Sequence, residues 1–172
     1  SIEFVNKKKL LSCKFKLKIY GVIKKDMVRS KWYNEYVKLY EKLSNKNLVF
    51  FHGKYKHENL DSILKDINLA IHIKYKDPCP NAVIEKLQYG IPHIYSNSGG
   101  TPELIEKGGL AINVKDDWYR MVEVDHKILS KKIIEVFKNY KKFRKTAFKQ
   151  SEKFKLSNYI STHKKIFKNL NR

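Results

Sequence analysis

Apolar residues follow two spacings along this chain, one typical of strands and one typical of helices. Residues 15–19 alternate apolar side chains with lysine, which predicts a strand with one polar face. Short apolar runs at 47–51, 67–73 and 108–114 predict buried strands. An apolar stripe at helical spacing between 32 and 43 predicts an amphipathic helix. Further helices are predicted at 2–11, 58–66, 82–89, 128–140, 141–155 and 157–170.

Strands therefore alternate with helices through most of the chain. This order predicts the α/β class, as a Rossmann-like doubly wound parallel sheet with helices on both faces, in a single domain spanning residues 1–172. In such folds ligands bind beyond the C-terminal ends of the strands. The loops expected at that edge are 21–30, 52–57, 74–80 and 97–102.

The chain carries a formal charge of +20, from 37 Lys and Arg against 17 Asp and Glu. Such a field favours anionic partners such as nucleotides, nucleic acid or acidic lipid surfaces. An AT-rich genome is a plainer explanation, because Lys, Asn, Ile, Tyr and Phe are all abundant and the lysines are spread over most segments. The charge by itself therefore identifies no partner.

Cysteine content and hydropathy indicate the cellular setting. Cys13 and Cys79 form neither a disulfide framework nor a metal-binding spacing, which favours a reducing cytoplasmic compartment. No stretch approaches the ~20 apolar residues of a membrane span. The N-terminus also lacks the pattern of a signal peptide. We expect a soluble protein, or one that lies on a membrane surface.

The stretch DPCPNAVIEKLQYGIPHIYSNSGGTPELI, residues 77–105, differs from the Lys-rich segments around it. Its first half predicts a helix that starts after Pro80, with Asn81 as the N-cap and Gly90 as the terminator. The first-turn amides, from Ala82 onward, have no acceptors inside the helix and carry the positive end of its dipole. They form a natural seat for a phosphate group.

Two carboxylates accompany this helix start. Glu85 lies one turn deeper, where it is better suited to accept hydrogen bonds from hydroxyl groups, such as the vicinal pair of a ribose, than to face a phosphate. Asp77 precedes the helix and can reach a different part of the same ligand. Taken alone, Glu85 is more often a solvated helix residue.

The second half of the stretch repeats this arrangement in a shorter form. Gly99 and Gly100 allow a close backbone approach and positive φ angles. Thr101 is predicted as an N-cap, with Pro102 at the first helical position. Such a turn is usually only a tight turn, and the interpretation depends on all these features converging within 29 residues. Together they predict an anion site flanked by hydroxyl-binding carboxylates, which suits a nucleotide-sugar.

These motifs resemble the C-terminal domain of GT-B glycosyltransferases of the group 1, or family 4, type. That family has an E-x7-E motif, a phosphate-facing helix start, a Gly-x-Pro strand entry and a Gly-Gly-x-Pro-Glu turn. This chain has Asp77-x7-Glu85, Pro80-Asn81-Ala82, Gly90-Ile91-Pro92 and Gly99-Gly100-Thr101-Pro102-Glu103. A weaker likeness covers KIYG, ending at Gly21, and VFFHGKY, which holds Gly53 and Lys54 beside the expected nucleotide base.

The resemblance implies roles for these residues. Glu85 would bind the ribose hydroxyls, and Asp77 would contact hydroxyls of the donor sugar. The backbone around Pro80, Asn81, Ala82, Gly99, Gly100 and Thr101 would face the diphosphate or the sugar. The implied reaction transfers a sugar from a nucleotide donor to an acceptor hydroxyl with retention, in cell-surface polysaccharide or glycolipid synthesis. It would need no cofactor and no metal.

The chain departs from the family pattern in two respects. Asp77 replaces the first Glu of the motif and shortens its reach by one methylene. The family's first C-domain strand and its acceptor-binding N-terminal domain would both precede Ser1. We therefore expect a fragment or a degraded reading frame that catalyses nothing alone, with helix 157–170 crossing back toward the absent domain.

Two other functions stay open at this point, and the basic charge allows an added membrane role for the transferase. An epimerase or phosphorylase of the same fold would need acid/base residues or a lysine-bound cofactor, and no compact set of them is visible. A non-enzymatic nucleic-acid binder would interleave aromatics on one exposed face, whereas here they occupy core-forming positions, so we expect no nucleic-acid partner. Basic helices at 131–155 could also hold an enzyme at the anionic inner face of a membrane.

Overall fold

The computed structural model describes residues 5–6, 14–21, 31–115, 117 and 122–170. Contacts divide the chain into two compact units, Ser1–Ile63 and Leu64–Arg172. The predicted helix at 2–11 and the predicted loop at 21–30 lie largely outside the described residues. Val5 and Asn6, which are described, are helical.

The first unit contains a pair of parallel strands joined by a helical crossover. Strand β1 is Leu17–Tyr20, helix α1 is Lys31–Ser44 and strand β2 is Val49–Gly53. A 3₁₀ turn at His57–Asn59 leads into α2, Leu60–Lys65. Leu17 lies opposite Val49, and the register shifts between Ile19 and Tyr20. This shift places Tyr20, the last residue of β1, opposite Gly53, the last residue of β2.

The second unit is a three-stranded parallel sheet with its helices. The strands are β3 (Ala70–His72), β4 (His93–Ser96) and β5 (Gly109–Ile112), in the order β3-β4-β5. The helices are α3 (Asn81–Gln88), α4 (Thr101–Ile105), α5 (His126–Lys138), α6 (Tyr140–Ser151) and α7 (Leu156–Leu170). Short 3₁₀ turns occupy Glu106–Gly108 and Glu152–Phe154.

The α/β class with parallel strands and helical crossovers is confirmed. The strands of the described part of the chain form a two-stranded and a three-stranded sheet, one in each unit, where one sheet was expected. Strand β3 is shorter than its apolar run; it lies at one edge of the three-stranded sheet, and its residue Ile71 is 39% exposed. The single domain and the absent first strand stay predictions.

The core of the second unit lies between α3, α4 and α6 and the central strand β4. Val83 and Leu87 of α3 contact Tyr95, Ile105 and Ala147 in one buried cluster. Every residue of β4 is buried. This packing fixes the first turn of α3 and the start of α4 next to the C-terminal ends of β3 and β4.

Within the described ranges, no helix combines the length and the apolar content needed to cross a bilayer. Helix α7 has no buried residue, although its sequence is amphipathic.

Candidate functional site

Helix α3 starts one residue earlier than its sequence predicts. Asn81 is its first residue, and Pro80 occupies the N-cap position in an extended conformation without a side-chain cap. The predicted capping role of Asn81 is therefore wrong. The Pro80 carbonyl instead accepts the Val83 amide at 2.9 Å. The amides left without acceptors inside the helix are those of Asn81 and Ala82.

Helix α4 shows the same displacement. It starts at Thr101, with Gly100 at the N-cap and Pro102 at the second position, so Thr101 is not the predicted N-cap. The Gly100 carbonyl accepts the Leu104 amide at 3.2 Å and opens the helix. Thr101 is fully buried, and its hydroxyl has no hydrogen-bond partner among the described residues.

Two serines join the loops that carry these helix starts. The Ser96 hydroxyl accepts the Lys74 amide at 2.9 Å and donates to the Lys74 carbonyl at 2.5 Å. The Ser98 hydroxyl accepts the Lys76 amide at 2.9 Å. These three bonds continue the pairing of β3 with β4 beyond the last ladder residues. This role is not apparent from the sequence, although the two serines stand at alternate positions at the end of β4.

The Gly-Gly pair brings the two loops into contact. Gly99 has the predicted positive φ, 65°, whereas Gly100 does not, at −84°. A Cβ on Gly99 would lie 2.5 Å from the Asp77 carbonyl oxygen, and one on Gly100 would collide with the Pro78 carbonyl. The Gly100 amide also donates to the Asp77 carbonyl at 3.0 Å. The close approach that these glycines permit is thus to the chain's own backbone.

The Asp77 carboxylate is mostly covered, with its side chain 15% exposed. Lys74 Nζ lies 2.9 Å from Asp77 Oδ2, and His72 Nε2 lies 3.7 Å from the same oxygen. Both contacts use Oδ2, so among the described residues Oδ1 has no ion-pair partner and can accept from a ligand hydroxyl. Lys74 and His72 are partners of Asp77 that its motif does not reveal.

Glu85 is half-buried and lies on the side of α3 away from the core. It is two residues from both Val83 and Leu87, which places it about 160–200° around the helix from them. It also lies close enough to Lys86 to raise that residue's pKa, although burial dominates and lowers the pKa overall. The Glu85 side chain thus faces neither the packed cluster of the helix nor fully open solvent, and its predicted ligand role stays a prediction.

A buried histidine lies in the same unit. His93, the first residue of β4, is fully buried, and neither ring nitrogen has a hydrogen-bond partner in the described part of the chain. Burial lowers its pKa to about 3. Burial also lowers the pKa of His72, against the pull of Asp77. His93 therefore belongs to the core, and its imidazole is neutral at physiological pH.

The remaining candidates belong to the first unit. The Gly21 amide donates to the Gly53 carbonyl at 2.9 Å, and both glycines have positive φ. Added Cβ atoms at these two positions would meet nothing within 4 Å. Tyr20 stacks on His52, with centroids 4.7 Å apart, and meets Tyr55 edge-on. Lys54, the third candidate, is exposed.

The second unit thus combines the features of an anion site at the C-terminal edge of a parallel sheet. One helix starts there with free amides, a second starts beside it, and a carboxylate lies on the loop between β3 and α3. Such an edge is the ligand-binding position of the doubly wound class.

Solved structures share this fold. The chain matches Anabaena HepE, crystallised with UDP, at a TM-score of 0.68 and 16% identity over 98% of this chain and 44% of that one. It also matches the isolated C-terminal domain of the group 1 glycosyl transferase LpcC from Francisella tularensis, at a TM-score of 0.60 and 12% identity, covering 91% of this chain and 94% of that domain.

Sequence comparison identifies the family. Residues 3–154 match the model for glycosyl transferases group 1, so the chain belongs to that family. Its fold is that of the C-terminal domain of a GT-B glycosyltransferase. It is also 33% identical over 88 residues to the O-antigen biosynthesis glycosyltransferase WbnH of Escherichia coli. That match covers 51% of this chain and 23% of WbnH.

Proposed function

We propose that this chain is the donor-binding part of a glycosyltransferase that uses a nucleoside-diphosphate sugar. The observation that carries the proposal is the junction of the two helix starts, where the Gly100 amide meets the Asp77 carbonyl at 3.0 Å. This bond holds the first turn of α4 against the loop that leads into α3. The presence of UDP in the HepE structure supports the same class of ligand.

The junction offers different groups to different parts of such a donor. The Asn81 and Ala82 amides, at the positive end of α3, suit the diphosphate. The Glu85 carboxylate, on the non-core side of the same helix, suits the ribose hydroxyls. Asp77 Oδ1 suits a hydroxyl of the sugar, because Oδ2 is already paired with Lys74. The roles that the family resemblance implies for Gly21, Gly53 and Lys54 of the first unit stay predictions.

The reaction we propose breaks the bond between the anomeric carbon and the phosphate oxygen and forms one to an acceptor hydroxyl oxygen. The configuration at the anomeric carbon is retained, the acceptor proton is released, and the nucleoside diphosphate leaves. No metal takes part in this proposal, and transfer unchanged by EDTA would agree with it. A transfer rate restored only by added divalent cation would contradict it.

The complete enzyme would include a second domain. The chain spans less than half of the HepE chain and about a quarter of WbnH. An apolar row on α7, comprising Leu156, Tyr159, Ile160, Ile166, Phe167 and Leu170, is exposed. We propose that this row packs on the acceptor-binding domain, in a cytoplasmic enzyme of cell-surface polysaccharide synthesis. The O-antigen role in the name of WbnH supports that setting.

Titration of UDP into the complete protein that contains this chain tests the proposal. Glu85→Gln should weaken UDP binding about 10- to 100-fold, because two hydroxyls lose a charged acceptor. Glu135→Gln, which removes an exposed carboxylate from α5, is the matched control and should bind normally. Equal affinity of the Glu85 variant and the parent would contradict the assigned role, and an absence of UDP binding in the parent would contradict the function.

A further inference from the structure

Helix α6 has an outer face made of cations and one aromatic ring. Its twelve residues include five basic side chains and no acidic one. All five are exposed, namely Lys141, Lys142, Arg144, Lys145 and Lys149. Phe148 lies among them with 54% of its surface exposed, while the other two aromatics of the helix, Tyr140 and Phe143, are half-buried.

A groove runs along one edge of this face. It has a volume of about 440 Å³ and lies between α6 and the turn that follows α3. Lys141, Arg144, Lys145 and Phe148 line one side, and Tyr89 and Gly90 line the other. Gly90 keeps the groove open, since a Cβ there would lie 3.2 Å from Arg144 Cγ.

The five basic side chains of this face differ from other lysines of the chain in their ion pairing. In the part of the chain that the structure describes, none of the five forms an ion pair, whereas Lys74, Lys153 and Lys155 each pair with a nearby Asp or Glu. Lys141, Arg144 and Lys145 stand at i, i+3 and i+4, so they project from one side of the helix. Their charges therefore add at a single surface.

We propose that this face docks on an anionic phospholipid bilayer, with lipid phosphates in the groove and Phe148 among the upper acyl carbons. Charge complementarity favours this partner, and long basic side chains around a single apolar ring are typical of interfacial helices. A single-stranded nucleic acid would require successive stacking platforms, whereas this helix exposes one ring.

The face leaves the donor junction uncovered. The groove lies at the C-terminal end of α3, and the amides of Asn81 and Ala82 lie at its start, roughly 12 Å away along the helix axis. Membrane docking and donor binding can therefore occur together. Since vesicle binding requires no nucleotide, a negative result would leave the proposed function unaffected.

Co-sedimentation of the full chain with vesicles tests the docking. We expect binding to phosphatidylcholine vesicles in which about one lipid in three is phosphatidylglycerol. Binding to vesicles of pure phosphatidylcholine should be much weaker. The triple variant Lys141→Gln/Arg144→Gln/Lys145→Gln should bind about 100-fold more weakly, because each cation near an anionic surface contributes roughly a fivefold gain. Phe148→Ala alone should weaken vesicle binding about fivefold, because its ring no longer enters the acyl region.

A second triple variant tests whether vesicle binding depends on the α6 face or on the overall positive charge of the protein. Lys164→Gln/Lys165→Gln/Lys168→Gln removes three charges from α7 and should change vesicle binding by no more than about threefold. Equal losses in both triple variants would overturn the proposal, as would binding that ignores anionic lipid. Preferential capture of single-stranded RNA through the α6 residues, with no vesicle binding, would also overturn it. Circular dichroism should show both variants folded like the parent.

Discussion

Two pairs of glycines were assigned to the same donor site, and the structure places them in contrasting surroundings. Gly99 and Gly100 press against the backbone of Asp77 and Pro78, so their lack of side chains serves the junction of two loops. Gly21 and Gly53 also join two loops, through one 2.9 Å bond, but they face open space.

The comparison teaches that glycines which the packing of two loops requires can still take part in ligand binding. At Gly99 and Gly100, any substitution disturbs the fold first, so a lost activity would say nothing about a ligand. At Gly21 and Gly53 the space for a side chain exists, and only the positive φ opposes one. Function in the second unit must therefore be tested on side chains such as Glu85.

The largest expected effect concerns Gly100. Gly100→Ala should lower the free energy of unfolding by about 3 kcal/mol or more, because its Cβ collides with a backbone carbonyl that cannot rotate away. Gly53→Ala should cost only about 1 kcal/mol, from strain at positive φ. Urea unfolding of both variants measures the difference, and equal costs would remove the contrast between the two glycine pairs.

The second prediction concerns pH. The pKa of His93 is about 3 in the folded protein and 6.5 in an unfolded chain, so the unfolded state binds the proton first as the pH falls. The His93 contribution to stability is complete above pH 6.5 and is lost progressively toward pH 3. At pH 5 the loss should be about 2 kcal/mol.

Substitution isolates this contribution. His93→Leu should make the unfolding free energy less sensitive to pH between 7 and 5, because the leucine takes up no proton in either state. His52→Gln, at an exposed histidine of the first unit, should leave the acid loss unchanged. An unchanged pH profile in the His93 variant would show that the ring is not held neutral by burial.

The third prediction concerns the serine junction. Ser96→Ala removes the hydrogen bonds to both backbone groups of Lys74 and should cost about 1–2 kcal/mol. In the first unit, Ser62 donates to the Asn59 carbonyl in an exposed position, and Ser62→Ala should cost less than about 0.5 kcal/mol. Chemical denaturation compares them, and amide exchange at Lys74 should accelerate only in the Ser96 variant.

The smallest expected effect is that of Lys74. Its ammonium group is bonded to Asp77 but is 62% exposed, so Lys74→Gln should change stability by less than about 0.5 kcal/mol. A loss above 2 kcal/mol would mean that the pair maintains the loop itself. The same variant should alter affinity for the donor sugar more than affinity for UDP, since Asp77 is assigned to the sugar.

Much of the fold follows from local patterns. Alternating and helical spacings located β1, α1 and α5 within a few residues, because burial imposes those periods directly on the sequence. Helix α3 and the rest of the stretch 77–105 were located through proline, glycine and carboxylate positions. The family resemblance gave its order and the fold of the domain.

Other features depend on contacts that no spacing reveals. Asn81 and Thr101 are good capping residues, yet Pro80 and Gly100 take the cap positions because their carbonyls open each helix. Asp77 is paired with Lys74 and approached by His72 only after β3 and its loop have folded. The cationic face of α6 could be suspected from composition, but its groove depends on the position of Gly90 beside Arg144.

The serine bonds also limit how this region can change during evolution. Each serine binds a residue 22 positions earlier in the chain, at Lys74 and at Lys76. An insertion or deletion within 74–76 or 96–98 would shift one partner of each pair and break both matches, whereas a change of length in the loops between these two segments would leave the bonds intact. The two segments should therefore vary by exchanging side chains at constant length.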